Sequence, residues 1–352
     1  MPDNTDDISK PDAPVDSEQS LDEFMSRPSP RLVKAISGLQ GDIIILGAGG
    51  KMGPTLAKAA HNAASKADRD IRIVAVDTFP VKRIMQNLQA SGIEAIQSDL
   101  LEPGAVESLP DAANVIYMVG MKFGSTANHP LTWAINAFLP GLVARKFRDS
   151  RLVVFSTGNV YPLMPTNSNG ASEKTPPNPV GEYAQSCLAR ERIFTYYSEI
   201  FHTRICLFRL NYAVEMRYGV LVDIALNVWQ QKPVDITMGC VNVIWQADAI
   251  ERALLCLDHC ASPPFVINIT GPERVSVRDI ATRFGTIMKR LPIIEGTMSD
   301  TALLSDAFSS VLLFGKPRLT LDQMMAWIAR WVMEGHPTYG KPTHFETRDG
   351  KF

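Results

Sequence analysis

This chain has no excess of positive charge. Its 35 Lys and Arg stand against 37 Asp and Glu, a formal net charge of -2 with a pI near 6.3. A polyanion-binding surface is not indicated, so nucleic acid is not an expected partner. Cysteine is scarce and odd in number. The five (Cys187, Cys206, Cys240, Cys256, Cys260) are scattered, which argues against a disulfide framework and fits a reducing cytoplasm. Cys256 and Cys260 flank His259 on an expected helix, but no further ligands stand at metal-binding spacing, so they read as packing residues and no metal is expected. His129, His202, His336 and His344 likewise lack an acid or cysteine at diagnostic spacing and read as structural or surface residues. No apolar run reaches bilayer length, so no membrane association is expected. No signal peptide is expected in residues 1–23, which carry eight acids and one base. Internal repeats are absent.

What is present begins with length. A chain of 352 residues at 45% hydrophobic content can bury one large core or two moderate ones. Residues 1–40 form an acidic extension, expected to be disordered to about Glu18, with short helices near Leu21–Met25 and Arg31–Leu39 docking beside the first strand. Ile43-Ile44-Ile45-Leu46 reads as a strand covered on both faces, since it shows no alternation. Gly47-Ala48-Gly49-Gly50-Lys51-Met52-Gly53 then leads into a helical pattern at Leu56, Ala60 and Ala64. In such a loop one glycine permits a special backbone conformation, one admits a pyrophosphate, and one lets helix and strand pack closely. Free N–H groups at the helix start face the anion. A strand before and a helix after make this a dinucleotide-binding reading rather than an ordinary turn.

A second strand, Ile71–Val76, ends in Asp77. An acid there accepts both hydroxyls of an adenosine ribose and repels a 2′-phosphate, favouring NAD over NADP. Lys82 and Arg83 pull the other way, and a helix N-cap is the alternative role for Asp77. Further strands are expected at Ala95–Gln97, Val115–Val119, Leu152–Ser156, Arg204–Arg209 and Val266–Ile269, with helices near Val81–Ala90, Pro103–Ser108, Leu131–Phe147 and Glu182–Glu199. Alternation of this kind specifies an α/β fold, a Rossmann-type doubly wound parallel sheet. Helices near Leu221–Gln231, Ala247–His259, Val277–Lys289 and Leu321–Met333 form a smaller, mainly helical C-terminal lobe over the carboxyl ends of the strands. The expected organisation is thus a dinucleotide-binding domain over 41–210, a substrate lobe over 211–340 that returns elements to the sheet, and a polar tail over 341–352 with no assigned role.

Several segments occur in the order found in short-chain dehydrogenase/reductases of the extended, sugar epimerase/dehydratase type, and the chain resembles that family from about residue 41 to about 335. The turn at 47–53 is similar to its cofactor loop, with Leu46 where a Thr is usual, and includes Lys51 and Met52 in the cofactor contact. Asp99-Leu100 resembles its adenine-contacting pair. Val119-Gly120-Met121-Lys122 resembles its fourth-strand exit, and Asn136 its helix asparagine. Phe155-Ser156-Thr157-Gly158-Asn159-Val160-Tyr161 is similar to its Ser/Thr strand motif, and Gly181–Cys187 to its Tyr-x-x-x-Lys helix. The resemblance implies Thr157 and Tyr183 as catalytic residues, Ser156, Asn159 and Asn211 on the substrate side, and a homodimer built on helices near 131–147 and 182–199.

The chemistry stands apart from the name. Hydride transfer at a hydroxyl-bearing carbon needs a partner for the hydroxyl proton, and a tyrosine near pKa ~10 serves as base only if positive charge stabilises its phenolate. A lysine four residues on would share its helix face. Here Cys187 holds that position. A thiol offers no fixed charge, and a thiolate opposes ionisation of Tyr183. Lys122 is the candidate substitute; contact with cofactor or substrate, and a solvent-exposed role, are its alternatives. Tyr183 itself has a packing role as its alternative. On the substrate side, Arg209-Leu210-Asn211-Tyr212 resembles the sixth-strand exit without its Gly-Pro, and Val241 precedes Asn242-Val243-Ile244-Trp245 where an arginine is usual. The expectation is an NAD-dependent oxidoreductase, epimerase or dehydratase acting on a sugar or sugar-derived hydroxyl. A smaller polyol, sugar acid or unactivated sugar fits as well as a nucleotide sugar. The alternative is an NAD(P)-binding protein that has lost catalysis and acts as a sensor or assembly partner.

Overall fold

The structure is a computed structural model that describes residues 15–351. Seven strands form its centre: β1 (Ile43–Leu46), β2 (Ile73–Asp77), β3 (Glu94–Gln97), β4 (Asn114–Tyr117), β5 (Arg151–Thr157), β6 (Arg204–Leu210) and β7 (Phe265–Ile269). Their order is β7-β6-β5-β4-β1-β2-β3, and every pairing is parallel. The unbroken apolar run of β1 has a simple cause. Ile43 and Ile45 enter one core cluster, Ile44 and Leu46 the opposite one, and all four side chains are fully buried. Burying each is worth about 1.5–3 kcal/mol, so the strand is fixed from both faces.

The progression of strand order across the sheet reverses between β1 and β4, while every strand keeps the same direction. From that point strand order runs one way to β3 and the other way to β7, opening a crevice beyond the strand carboxyl ends. The seventh strand, Phe265–Ile269, is contributed from beyond residue 211 and pairs with β6. Helices Val220–Trp229, Val277–Met288 and Leu321–Met333 pack on one another in a second core with Trp245, Phe284 and Trp331.

The segment expected to be unstructured to about Glu18 lies largely outside the described residues. From Ser17, which caps a helix over Glu18–Met25 through a reciprocal Ser20 bond, the chain is ordered. This helix does not dock beside β1. Its Leu21, Phe24 and Met25 join the C-terminal core, and buried Arg217 holds Asp22 at 2.9 Å and Glu215 at 3.1 Å. The second helix, Pro30–Gly38, does pack near β1, through Leu32 and Ile36. The helix expected at Pro103–Ser108 is a series of turns. Gly104 at φ +79 breaks it, and six residues are too few to offset nucleation without a packed face. The helix expected at Leu131–Phe147 is His129–Lys146 with a π segment at Ala134–Phe138.

Candidate functional site

The glycine loop lies at the point of reversal. Gly47 has φ +89, and a Cβ there would come within 2.8 Å of the Met118 and Val119 backbone at the β4 exit. Gly53 opens the helix Gly53–Lys66, where a Cβ would fall 2.4 Å from the Ala48 carbonyl oxygen. Gly50 differs from both. A Cβ on it would meet only the Gly47 carbonyl, at 3.6 Å, so the protein itself places no steric demand for glycine there. The three positions thus divide into a backbone turn, a close helix–strand approach, and a face left open toward the crevice. The helix start has no side-chain cap, so its first N–H groups are not satisfied by a cap residue.

Asp77 at the end of β2 supports this loop. Its carboxylate accepts from Gly49 N at 3.0 Å and from Phe79 N at 3.1 Å, and a Cβ on Gly49 would strike it. It is not a helix N-cap: the next helix starts at Lys82 after Val81. Asp99 accepts from Leu101 N, and Leu100 is buried in the core beside β1 and β2.

A cleft of about 380 Å³ connects Gly47, Gly50, Lys51, Met52 and Gly53 with Lys122, Ser156, Thr157, Asn159, Tyr183 and Asn211. Sequence positions 136 residues apart, Gly47 and Tyr183, therefore share one wall-to-wall space. Tyr183 sits in the first turn of the helix Gly181–Phe201 and hydrogen-bonds the side chains of Thr157 and Cys187. Thr157 also accepts from Asn159 N at 3.2 Å and Asn159 Nδ2 at 3.0 Å, which aims its hydroxyl. Burial, reinforced by Cys187, pushes the Tyr183 phenol above its ordinary range; Arg190 pulls the other way. Burial also raises the fully enclosed Cys187 thiol. At neutral pH both groups hold their protons.

Arg190 was not singled out by sequence reading. It lies seven residues after Tyr183 and three after Cys187, spacing that a helical wheel places on one side. Its guanidinium donates to Phe155 O at 2.8 Å and Asn136 Oδ1 at 2.7 Å. Asn136, fully buried in the π segment, also accepts from Met121 N and donates to Met121 O and Ser186 Oγ, each at 2.9 Å. It thereby ties the β4 exit to the Tyr183 helix. A π segment positioning a buried polar group is a recurrent feature of functional sites.

The cleft carries two lysines. Lys51 Nζ stands 3.3 Å from the Tyr218 ring centroid and 4.3 Å from that of Phe123. Burial, with Lys122 and Lys341 nearby, lowers its pKa to about 7. Lys122 Nζ donates to Thr343 O at 3.2 Å and lies 6.0 Å from the Tyr183 ring centroid; burial lowers it to about 8. Ser156, by contrast, donates its hydroxyl to Glu191 at 2.5 Å. Glu191 pairs with Arg209 at 2.6 Å, and Arg209 donates to Tyr161 Oη at 2.7 Å, so this buried network braces β5, β6 and the Tyr183 helix. Asn211 donates to Asn242 Oδ1 at 3.2 Å beside the cleft. Among the described residues no cluster of His, Cys, Asp and Glu could hold a metal ion, and no helix is long and apolar enough to cross a membrane.

The tail, given no role from sequence, folds back over this cleft. Thr343 lines it, Phe345 enters the C-terminal core, and Arg348 reaches Thr301.

Residues 43–214 match the family model described as NAD dependent epimerase/dehydratase family. Over this segment the chain is similar to that family. The match runs from the first residue of β1 through the glycine loop and the Tyr183 helix to just past β6. Solved structures agree on the epimerase-type fold. A UDP-glucuronic acid 4-epimerase from Bacillus cereus, in complex with UDP-glucuronic acid and NAD, is 19% identical with a TM-score of 0.69, over 83% of this chain and 99% of that one. A UDP-glucose 4-epimerase from Thermus thermophilus, in complex with NAD, is 16% identical with a TM-score of 0.67, over 84% and 99%. One from Thermotoga maritima, with UDP-glucose, is 13% identical with a TM-score of 0.68, over 83% and 99%. No curated protein matches the chain.

Proposed function

We propose that the cleft binds NAD and that the protein is an oxidoreductase, epimerase or dehydratase acting on a sugar or sugar-derived hydroxyl. The observation that carries this reading is the continuity of the glycine loop with Thr157 and Tyr183 in one cleft. Gly47, Gly50 and Gly53 with Lys51 and Met52 hold the pyrophosphate at the helix start, and Gly50 is the glycine whose open face the ligand needs. Asp77 takes the adenosine ribose hydroxyls and disfavours NADP, with Asp99 and Leu100 beside the adenine. The family description and the NAD complexes among structural neighbours support the same cofactor.

Bound NAD supplies the hydride acceptor. Thr157 and Asn159 orient the substrate oxygen, and Tyr183 handles its proton. Because burial raises the phenol's pKa, little phenolate is present at neutral pH to accept the hydroxyl proton, so proton abstraction by Tyr183 is slow there. Lys122 contacts cofactor or substrate, and Asn211 borders the substrate. Ser156 acts at one remove, through Glu191. The test is the Tyr183→Phe variant. Hydride transfer to NAD should fall roughly 10²–10⁴-fold while NAD affinity changes little; unchanged turnover removes Tyr183 from the chemistry.

Cys187 in place of a cation also favours a second reading, a cofactor-binding protein without turnover that serves as sensor or assembly partner. NAD uptake without hydride transfer to any sugar or polyol would select it. We further propose a homodimer. Leu131, Phe138, Tyr196 and Ile200 leave apolar surface exposed on two helices that pack against each other, with Phe138 at 60%. Five unbridged thiols suit a reducing, cytoplasmic setting.

A further inference from the structure

The C-terminal segment 341–351 is fastened along its length across the outer side of the cleft. At its start, Asp223 accepts from Thr343 N at 2.8 Å and from Thr343 Oγ1 at 2.6 Å. In its middle, Phe345 is buried in the core of the C-terminal lobe. Further on, the two terminal nitrogens of Arg348 donate to Thr301 O and Thr301 Oγ1, each at 2.6 Å. At its end Gly350 packs on the backbone of Val180 and Gly181, so closely that a Cβ on either glycine would lie under 3 Å from the other strand of chain. Four attachments over eight residues make this a fixed wall.

Behind the wall lies a chamber of about 30 Å³, which shares Lys122, Asn159 and Tyr212 with the 380 Å³ cleft. Space of that size takes about two waters or one small polar group. The residues bordering it include Lys122, Arg348, His344 and Asn159. Among the described residues bordering it there is no carboxylate. Cations and an amide around a space of this size match a carboxylate, which takes several donors at once.

We infer that segment 341–351 is the specificity element of the site, selecting a compact polyhydroxy acid that is not nucleotide-linked, whose carboxylate enters the chamber between Lys122 and Arg348. This inference rests on the reading of the cleft as an NAD-dependent sugar site and names its substrate class. It accounts for Thr343 O lying on Lys122: the segment sets the position of the ammonium that the acid meets. It also accounts for the lack of an arginine at Val241, since no diphosphate needs holding.

The test is calorimetric titration of the NAD-loaded full chain with D-glucuronate and with UDP-glucuronic acid, followed by the same titrations on chains ending at Gly340 and on Arg348→Ala. The full chain should bind glucuronate at least tenfold tighter than the UDP-linked form, and removal of the segment should abolish that preference. Where the shortened chain does not fold, having lost Phe345, Arg348→Ala carries the test and should lose at least tenfold in glucuronate affinity. Equal or tighter binding of UDP-glucuronic acid by the full chain, no binding of glucuronate, or unchanged glucuronate affinity in Arg348→Ala overturns the inference while leaving the NAD site standing. Failure of the full chain to take up NAD overturns the functional reading itself, and the inference with it.

Discussion

Tyr183 and Cys187 lie one helical turn apart and hydrogen-bond through their side chains, and burial, reinforced by Cys187, keeps the phenol protonated. Replacing the thiol by a cation should reverse this. Each unit by which the Tyr183 pKa falls is about 1.4 kcal/mol, or tenfold more phenolate at a given pH. Cys187→Lys should therefore raise alcohol oxidation at pH 7 by about tenfold or more and move the rising limb of its pH–rate profile to lower pH. A profile identical to that of the native protein would show that Tyr183 is not the proton-transfer group. Circular dichroism must accompany the measurement, because Cys187 is fully buried next to Arg190.

Gly50 and Gly53 should respond oppositely to the same added methyl. At Gly53 a Cβ meets the Ala48 carbonyl at 2.4 Å, so Gly53→Ala should cost about 1–3 kcal/mol of stability. At Gly50 it meets no backbone closer than 3.6 Å, so Gly50→Ala should melt close to the native temperature yet bind NAD at least tenfold more weakly. Thermal melts with and without NAD decide the matter. Equal melting losses in both variants would mean that Gly50 serves the fold and not the ligand.

Anion binding in the cleft should weaken as pH rises. Lys51 titrates about 7 and Lys122 about 8, so their ammonium charge is lost across that interval. NAD affinity should accordingly be highest below pH 7 and decline between pH 7 and 8. Stability of the ligand-free protein runs in the opposite sense. The unfolded lysine holds its proton to about 10.5, so between about 7 and 10.5 the unfolded state binds more protons and stability rises with pH. Lys51→Met should stabilise the ligand-free protein near pH 6 and weaken NAD binding there. A variant with native values for both would place Lys51 outside the site.

The exposed apolar face on helices 129–146 and 181–201 predicts association. Phe138→Glu combined with Ile200→Glu should convert a dimer to a monomer in light scattering, with the melting temperature little changed for the isolated chain. A native protein that is monomeric at micromolar concentration would remove the dimer from the account.

The central sheet was legible from sequence because its inner strands are buried on both faces; the edge strand Glu94–Gln97 is not. Runs such as Ile43–Leu46 and Arg204–Leu210 carry their signal in composition alone, and boundaries were met to within one or two residues. The glycine spacing was legible because Gly47 and Gly53 each answer a local backbone constraint, while Gly50 faces open space. Pro103–Ser108 was misread because a short apolar period says nothing about whether a face is available to pack. Arg190 was present in the spacing from Tyr183 and Cys187 but passed over, since a buried arginine announces itself only through partners such as Asn136 and Phe155. The segment beyond Lys341 gave no signal at all. Its order comes from single long-range contacts (Thr343 with Asp223, Arg348 with Thr301), and such contacts leave no period in the chain.

Calorimetric titration of NAD and NADP into the purified full chain tests the central claim most directly. The account predicts one NAD site per chain, weaker NADP binding because of Asp77, and at least a tenfold loss of NAD affinity in Gly50→Ala. No uptake of either nucleotide, oxidised or reduced, would contradict it.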